Sequence, residues 1–127
     1  MLMKTITIKK KGSKPLNDVT MAATYGERVR GLSGLDRPRS LLMVFPCAGR
    51  HGIWMWRMKF PLDLFFIDSK KQVVDIKRNV KPISFHPGTW KVFKPRKPAR
   101  YVLEMPAGEA DDIRIGDKLK FNVAEAE

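Results

Sequence analysis

Apolar and polar residues alternate in short stretches along this chain, and this pattern predicts strands rather than long helices. Residues 117–123 alternate without interruption, with three apolar side chains facing one way and three polar ones the other. These side chains are Leu119, Phe121 and Val123 on one face, and Lys118, Lys120 and Asn122 on the other. Residues 62–67 are apolar on both faces apart from Asp63, as expected for a central strand. A tight turn at 68–72 leads into residues 73–77, and we expect these two strands to form a hairpin.

Other short segments continue the same β pattern. Strands are also predicted at residues 4–10, 19–23, 41–45, 53–58, 90–93 and 100–105. The segment 41–45 is too short for a helix of its own, and it is bounded by Pro46. Most of the segment 78–98 should be irregular, because it contains four prolines and little periodicity.

One helix is predicted, near residues 25–30. Thr24 is followed three residues later by Glu27, which is the spacing of a capping box. In that motif the threonine hydroxyl accepts from an amide of the first turn, and the carboxylate accepts from the amide of the capping residue. Gly31 is the expected end of this helix.

About eight short strands with frequent turn signals, and one helix, predict an antiparallel β-sandwich or a distorted barrel. The chain has 127 residues, the size of one domain, which we expect to span residues 1–127. Its apolar fraction of 43% is close to that of ordinary globular proteins, which argues against disorder.

The compartment is predicted from the cysteine content and the apolar runs. Cys47 is the only cysteine, so no disulfide can form within the chain, which fits a reducing cytoplasm. The first residues lack the order of charge and apolar run that a signal peptide needs. No apolar run approaches the roughly 18 residues that cross a bilayer. We therefore expect a cytoplasmic protein without a membrane span.

Charge is unevenly distributed along this basic chain, which carries a formal net charge of +12. Residues 77–100 carry eight lysines and arginines and no acid, whereas residues 101–127 carry seven acids and three bases. A basic stretch of this kind indicates either an electrostatic partner for one face or a solvated surface.

Several motifs, taken in order, resemble one known family. The matching segments are residues 27–32, 42–45, 54–58, 61–68, 101–104, 107–108 and 115–117. They cover roughly residues 20–123 and are similar to the DUF192 family, a group of small bacterial and archaeal domains of unknown function. The resemblance implies a mainly β, sandwich-like fold, and it brings no established activity, cofactor or catalytic residue.

Residues 51–63 mix tryptophan, methionine, histidine and a carboxylate, which is unusual for a core. The candidate ligand-binding residues are Arg28, His51, Trp54, Met58 and Asp63. A carboxylate beside the core needs a cation or several hydrogen bonds, and Arg28 is its expected counter-charge. The leading hypothesis is a non-enzymatic module that binds a small ligand or a protein partner in this recess. The alternative is that Asp63 forms a structural ion pair that fixes the strand register.

The basic segment 77–100 supports a second hypothesis, in which the protein binds nucleic acid. Cations contact phosphates, and exposed aromatic rings stack on bases. The candidate residues are Lys77, Arg78, Lys81, Trp90, Lys91, Lys94, Arg96 and Lys97. The alternative is that Trp90 and Phe93 fill the core while the lysines face water.

A hydrolase is the third hypothesis. Cys47, either histidine and Asp63 could supply a nucleophile, a base and an orienting acid, but the spacing of Cys47 and His51 is not a known nucleophile motif. The few cysteines and histidines are not clustered, so neither a metal site nor a cofactor is predicted.

Overall fold

The computed structural model describes residues 4–32, 39–54, 58–82 and 91–123, with the backbone alone at Trp54. Within these ranges the chain forms nine strands and one short helix. The strands are β1 (Thr5–Lys10), β2 (Leu16–Ala22), β3 (Leu41–Gly49), β4 (Ile53–Trp54), β5 (Leu62–Ile67), β6 (Val73–Val80), β7 (Val92–Phe93), β8 (Ala99–Pro106) and β9 (Leu119–Lys120), and helix α1 (Tyr25–Arg30) lies between β2 and β3.

Seven of these strands form one sheet, in the order β6-β5-β8-β3-β2-β1-β9. Neighbours in this sheet are antiparallel except for β2 and β3, which are parallel. The strands β4 and β7 form a separate antiparallel pair. The predicted mainly β fold with one short helix is confirmed. The parallel pair was not predicted; it sets Leu41, the first residue of β3, opposite Thr20 near the end of β2, and α1 lies in the crossover that a parallel pair requires.

The sheet curls so that its two edge strands meet at one end. Gln72, just before β6, forms an antiparallel bridge with Lys118, just before β9. The amide of Val73 donates to the carbonyl of Asp117 at 2.8 Å, and the amide of Leu119 donates to the carbonyl of Lys71 at 2.9 Å. These bonds close one end of a half-barrel and satisfy backbone groups that would otherwise be exposed at a sheet edge.

Two apolar clusters cover the two faces of the curled sheet. The inner cluster contains residues from strands at both ends of the sheet and therefore lies on the concave side; examples are Ile8, Leu42, Phe65, Val73, Leu103 and Phe121. The outer cluster lies on the opposite face, where Leu32, Ile53, Met58 and Phe60 cover residues of the central strands such as Leu41 and Leu64. Adjacent residues of β3, β5 and β8 alternate between the two clusters, as the period of a strand requires.

The bounds of some strands differ from the predicted ones. β3 was expected to end before Pro46 but continues to Gly49. Its pairing with β8 is irregular between Val44 and Gly49, so the missing amide of proline is tolerated there. At the other end of the chain β9 is two residues long, although the predicted alternation of buried Leu119 and Phe121 with exposed lysines is confirmed. Residues 55–57 and Trp90, which belonged to predicted strands, lie outside the described residues.

The capping box at the start of α1 is confirmed. The amide of Glu27 donates to Thr24 Oγ1 at 3.1 Å, and the amide of Thr24 donates to Glu27 Oε1 at 3.1 Å. Hydrogen bonds from the amides of Thr24 and Ala23 lower the pKa of Glu27, because they stabilise the charged carboxylate. Gly31 ends the helix with a φ of 47°, a conformation that favours glycine. This short helix fixes the position of Arg28 beside β3.

The helix in the described part of the chain is far shorter than a membrane-spanning helix.

Candidate functional site

Asp63 is a buried carboxylate with a complete set of partners. Its Oδ1 accepts from the amide of Asn79 at 2.7 Å, and its Oδ2 accepts from the amide of Gly108 at 3.0 Å. Arg78 Nη1 lies 3.7 Å from Oδ2. The expectation that Arg28 is its counter-charge was wrong, since the cation at this carboxylate is Arg78.

The sheet register places Asp63 on the inner face. Asp63 pairs with Met105 of β8, a member of the inner cluster, and paired residues of antiparallel strands point to the same side. β6 is irregular where it passes this point, and Asn79 has a φ of 51°. This local bend, together with the turn at Gly108, directs two amides at one carboxylate. Asp63 therefore ties β6 and the turn after β8 to β5.

Arg28 and His51 meet at Phe45, on the outer side of the sheet. The guanidinium carbon of Arg28 lies 5.2 Å from the centre of the Phe45 ring, and Arg28 Nη1 donates to the carbonyl of Val44 at 3.0 Å. The His51 ring stacks on the same phenylalanine with ring centres 3.9 Å apart and planes within 3°. Phe45 packs against the outer cluster. These contacts hold a cation and an imidazole at one aromatic ring.

The predicted ligand-binding residues are thus divided between two faces. Met58 belongs to the outer cluster, and Phe45, which Arg28 and His51 contact, packs against the same cluster. Asp63 lies on the inner face. The side chain of Trp54 lies outside the described part of the structure. The sheet itself separates Asp63 from Met58, so these residues do not line one recess.

Glu104 is a buried acid of the outer face, and no sequence pattern singled it out. It pairs with Leu41 on one side and Leu64 on the other, both members of the outer cluster. The residue is 3% exposed. Burial raises the pKa of its carboxyl to about 8, because a charge there would lose its hydration. Glu104 therefore holds a proton at neutral pH. An acid within the apolar strand predicted at 100–105 was the signal that could have found it.

The candidate hydrolase residues do not assemble. Cys47 is exposed. The Nε2 atom of His51 lies 2.9 Å from the main-chain carbonyl oxygen of Cys47, so this contact involves the backbone and not the thiol. Asp63 lies on the other face of the sheet, and His86 falls outside the described residues. Among the residues that the structure describes, no three acidic, histidine or cysteine side chains cluster as metal ligands would.

Part of the basic segment lines one groove beside the edge strand β6. The groove has a volume of about 440 Å³ and is open to solvent. Four of the predicted cationic residues line it together with Phe93; they are Lys77, Arg78, Lys81 and Lys91. Phe93 is half-buried and packs against the outer cluster, so its ring is not free to stack on a base. The described lining of the groove is therefore suited to phosphates.

A buried acid, Asp75, organises the approach to this groove. Its Oδ1 accepts from the amide of Ile76 at 2.9 Å, and its Oδ2 accepts from the amide of Arg96 at 3.0 Å. Lys77 Nζ lies 3.3 Å from the same carboxylate. Asp75 therefore connects the segment around Arg96 to β6 through the hydrogen bond from the Arg96 amide.

The remaining predicted cations are not part of the groove's described lining. The Lys94 side chain lies beside Gly52, the Arg96 side chain is exposed above Asp75, and Lys97 is exposed. Trp90 belongs to the residues left undescribed. The basic segment is thus only partly gathered into one surface.

Comparison with known sequences points to a single family. The sequence profile of the DUF192 family, described as an uncharacterized ACR, matches residues 6–121. The chain is 32% identical over 120 residues to a UPF0127 protein of Pyrococcus furiosus, covering 88% of this chain and 93% of that protein. It is 32% identical over 122 residues to a UPF0127 protein of Thermococcus sibiricus, covering 92% of this chain and 74% of that protein.

Solved structures share the fold. A chain from Sinorhizobium meliloti, described as a proposed transcription regulator, superposes with a TM-score of 0.78 at 25% identity and covers 94% of both chains. A protein of unknown function from Novosphingobium aromaticivorans superposes with a TM-score of 0.78 at 21% identity, covering 91% of this chain and 83% of that one. With a profile that spans nearly the whole sequence, the chain belongs to the DUF192 family.

Proposed function

We propose that this protein binds nucleic acid, and that the open groove beside β6 is the contact surface. The observation that carries the proposal is the convergence of four cationic side chains on one groove. Cations that contact phosphates release bound counterions, which favours association with a nucleic-acid backbone. The net charge of +12 adds long-range attraction for any polyanion.

The four cations of the groove are not equivalent. Lys77 is paired with Asp75, and Arg78 lies near Asp63 and Asp111. The charge of each cation is therefore partly neutralised by carboxylates of the protein. Lys81 and Lys91 have no carboxylate within 4 Å among the described residues. These two lysines should therefore contribute most to phosphate binding.

The similar chain from Sinorhizobium meliloti gives this proposal additional support. That protein is described as a proposed transcription regulator, and a regulator of transcription acts on nucleic acid. At 25% identity the likeness supports the class of partner rather than any particular sequence.

The proposal is tested by the salt dependence of binding to a fluorescent single-stranded oligonucleotide of about 12 nucleotides. Fluorescence anisotropy gives the Kd of the wild type and of Lys81→Ala/Lys91→Ala at about 50 mM and about 200 mM KCl. Removing two phosphate contacts should reduce the slope of log Kd against log salt by about 1.4. The variant should therefore bind more weakly than the wild type at low salt and lose less affinity as salt is added.

The matched control is Lys11→Ala/Lys14→Ala, which removes the same charge from two exposed lysines in the turn between β1 and β2. We expect its salt slope to lie close to that of the wild type. Equal slopes for both double variants would mean that only the overall charge matters and would reject the groove. Binding that is absent, or that ignores salt, would reject nucleic acid altogether.

A small-ligand module remains the second candidate, and the burial of Glu104 on the outer face favours it. Glu104 shares a face with Arg28, His51 and Met58, whereas Asp63 does not, so Glu104 replaces Asp63 as the polar anchor of this hypothesis. A protonated carboxyl in an apolar setting donates one hydrogen bond and accepts others, which suits a neutral polar ligand. A thermal-shift screen of small amides and alcohols on wild type and Glu104→Gln tests it. Stabilisation that is equal in both proteins would exclude Glu104 as a contact.

A further inference from the structure

Two lysines from distant parts of the chain face each other directly on the outside of the sheet. Strands β1 and β9 are antiparallel, and their register pairs Lys9 with Lys120. Both side chains are exposed. Because paired residues in an antiparallel ladder point to the same side, their Cβ atoms are about 5 Å apart, and like charges in this position destabilise the pair.

A third lysine extends this cluster. Lys118 lies two residues before Lys120, so it points to the same side, and it is exposed. Its cross-strand partner is Gln72, at the point where the half-barrel closes. The three ammonium groups therefore lie on one surface across β1 and β9, and we call Lys9, Lys118 and Lys120 the lysine triad.

Lys10 in this part of the fold is paired with an acid, whereas no such pair is found for the triad among the residues that the structure describes. Lys10, which neighbours Lys9, lies 2.9 Å from Asp117. Within the described residues, no carboxylate lies within 4 Å of the three triad lysines. In the described part of the chain, three like charges thus lie together where a single acid would stabilise the sheet. An anion from outside the protein would remove the repulsion.

We propose that the lysine triad is a binding site for a chain of phosphates. The spacing of the cross-strand pair and of residues two apart on one strand, about 5–7 Å, is comparable to the separation of successive phosphates along an extended nucleic-acid backbone. The phosphates of inorganic polyphosphate are closer together, so its chain would meet the three lysines with phosphates that are not all neighbours. The same chemistry is present in inorganic polyphosphate and in the backbone of a nucleic acid. The site is distinct from the groove beside β6, and it does not depend on the function proposed for that groove.

The first test asks whether the pair costs stability in the free protein. Lys9→Glu and Lys120→Glu each replace a like pair by an opposite pair, so each should raise Tm by about 1–4 °C in low-salt buffer without phosphate. The double variant Lys9→Glu/Lys120→Glu restores a like pair, so its Tm should fall below that of either single variant. Additive effects in this cycle would mean that the two side chains do not interact, which would overturn the proposal.

The second test asks whether the stabilised protein has lost a binding site. Titration of Lys120→Glu with inorganic polyphosphate should give a Kd at least about tenfold weaker than that of the wild type. Lys4→Glu carries the same change of charge at an exposed position before β1, and it should weaken binding by much less. Equal losses in Lys120→Glu and Lys4→Glu, or a wild type that does not bind polyphosphate or an oligonucleotide, would overturn the proposal.

A parallel titration with the single-stranded oligonucleotide separates the two sources of phosphate. A loss for both probes in Lys120→Glu supports a general phosphate-chain site, and a loss for one probe identifies that probe's chemistry as the ligand. Lys81→Ala/Lys91→Ala should bind polyphosphate at the triad like the wild type. The oligonucleotide affinity of Lys81→Ala/Lys91→Ala therefore tests the groove, and the phosphate affinity of Lys120→Glu tests the triad, so either proposal can fail without the other.

Discussion

Asp63 and Glu104 lie on neighbouring strands, one register position apart, yet the sheet gives them opposite environments. Asp63 pairs with Met105 and faces inward, whereas Glu104 pairs with Leu64 and faces outward. Both are almost completely buried. Asp63 accepts from two amides and has Arg78 nearby, whereas the dominant influence on Glu104 is the loss of water.

The comparison shows that burial alone does not determine what a carboxylate does. Asp63 accepts hydrogen bonds from the amides of Asn79 and Gly108, so it connects β5 to β6 and to the turn after β8. Burial in an apolar setting favours the neutral form of Glu104, whose pKa rises to about 8. Asp63 therefore has a structural role, and Glu104 is a group whose charge changes near neutral pH.

The largest expected effect is the response of Glu104→Gln to pH. Between the ordinary value of 4.5 and about 8, the folded protein holds a proton on Glu104 that the unfolded chain has released. The free energy of unfolding of the wild type therefore falls as pH rises through this window, whereas glutamine does not titrate. The variant should gain stability over the wild type by about 3 kcal/mol between about pH 5 and about pH 8. Urea unfolding at several pH values measures this gain, and parallel curves would contradict it.

Asp63→Ala should be destabilising by about 1–3 kcal/mol, because it leaves the amides of Asn79 and Gly108 without their acceptor. Urea unfolding at neutral pH measures the loss. Asp111→Ala is the matched control, since Asp111 lies 3.8 Å from the same Arg78 but is 76% exposed. We expect the control to change stability by less than about 0.5 kcal/mol. Similar losses in the two variants would mean that Arg78, and not the pair of amides, accounts for the effect.

Asp75 is a third buried acid. It is buried like the others, but it accepts from two amides and lies near Lys77, so it should behave like Asp63. Asp75→Asn keeps one acceptor oxygen and should lose about 1–2 kcal/mol. Urea unfolding at neutral pH measures this loss, and a change of less than about 0.5 kcal/mol would mean that the hydrogen bonds to Asp75 add little to stability.

The smallest effect is expected for Arg78→Met. The Arg78 side chain is 40% exposed, so solvent screens its attraction to Asp63. Methionine retains an apolar stem over the Phe65 ring but cannot donate to the carbonyl of Ile113, which Arg78 Nη2 contacts at 2.7 Å. We expect a loss of no more than about 1 kcal/mol in thermal or urea unfolding. A loss as large as that of Asp63→Ala would show that the guanidinium is the essential partner of the inner acid.

Local features of the fold were predictable because they depend on residues close in sequence. The capping box needs Thr24 and Glu27 alone, and both of its hydrogen bonds are present. The hairpin of β5 and β6 followed from two apolar stretches separated by a turn. The candidate site was harder to predict, since Arg28 was expected at Asp63 and Glu104 was missed.

The sequence by itself determined where strands and the helix form, because the period of apolar residues and the local caps are properties of neighbouring positions. Tertiary structure alone decided which charges meet. Asp63 and Gly108 are 45 residues apart, and Lys9 and Lys120 come from opposite ends of the chain. Their contacts depend on the register of paired strands, and a shift of one residue would move each side chain to the other face of the sheet. The surroundings of a buried acid depend on the neighbours that the fold supplies as well as on the face: Asp75 and Glu104 both pair with residues of the outer cluster, yet among the described hydrogen bonds Asp75 accepts from two amides and Glu104 from none.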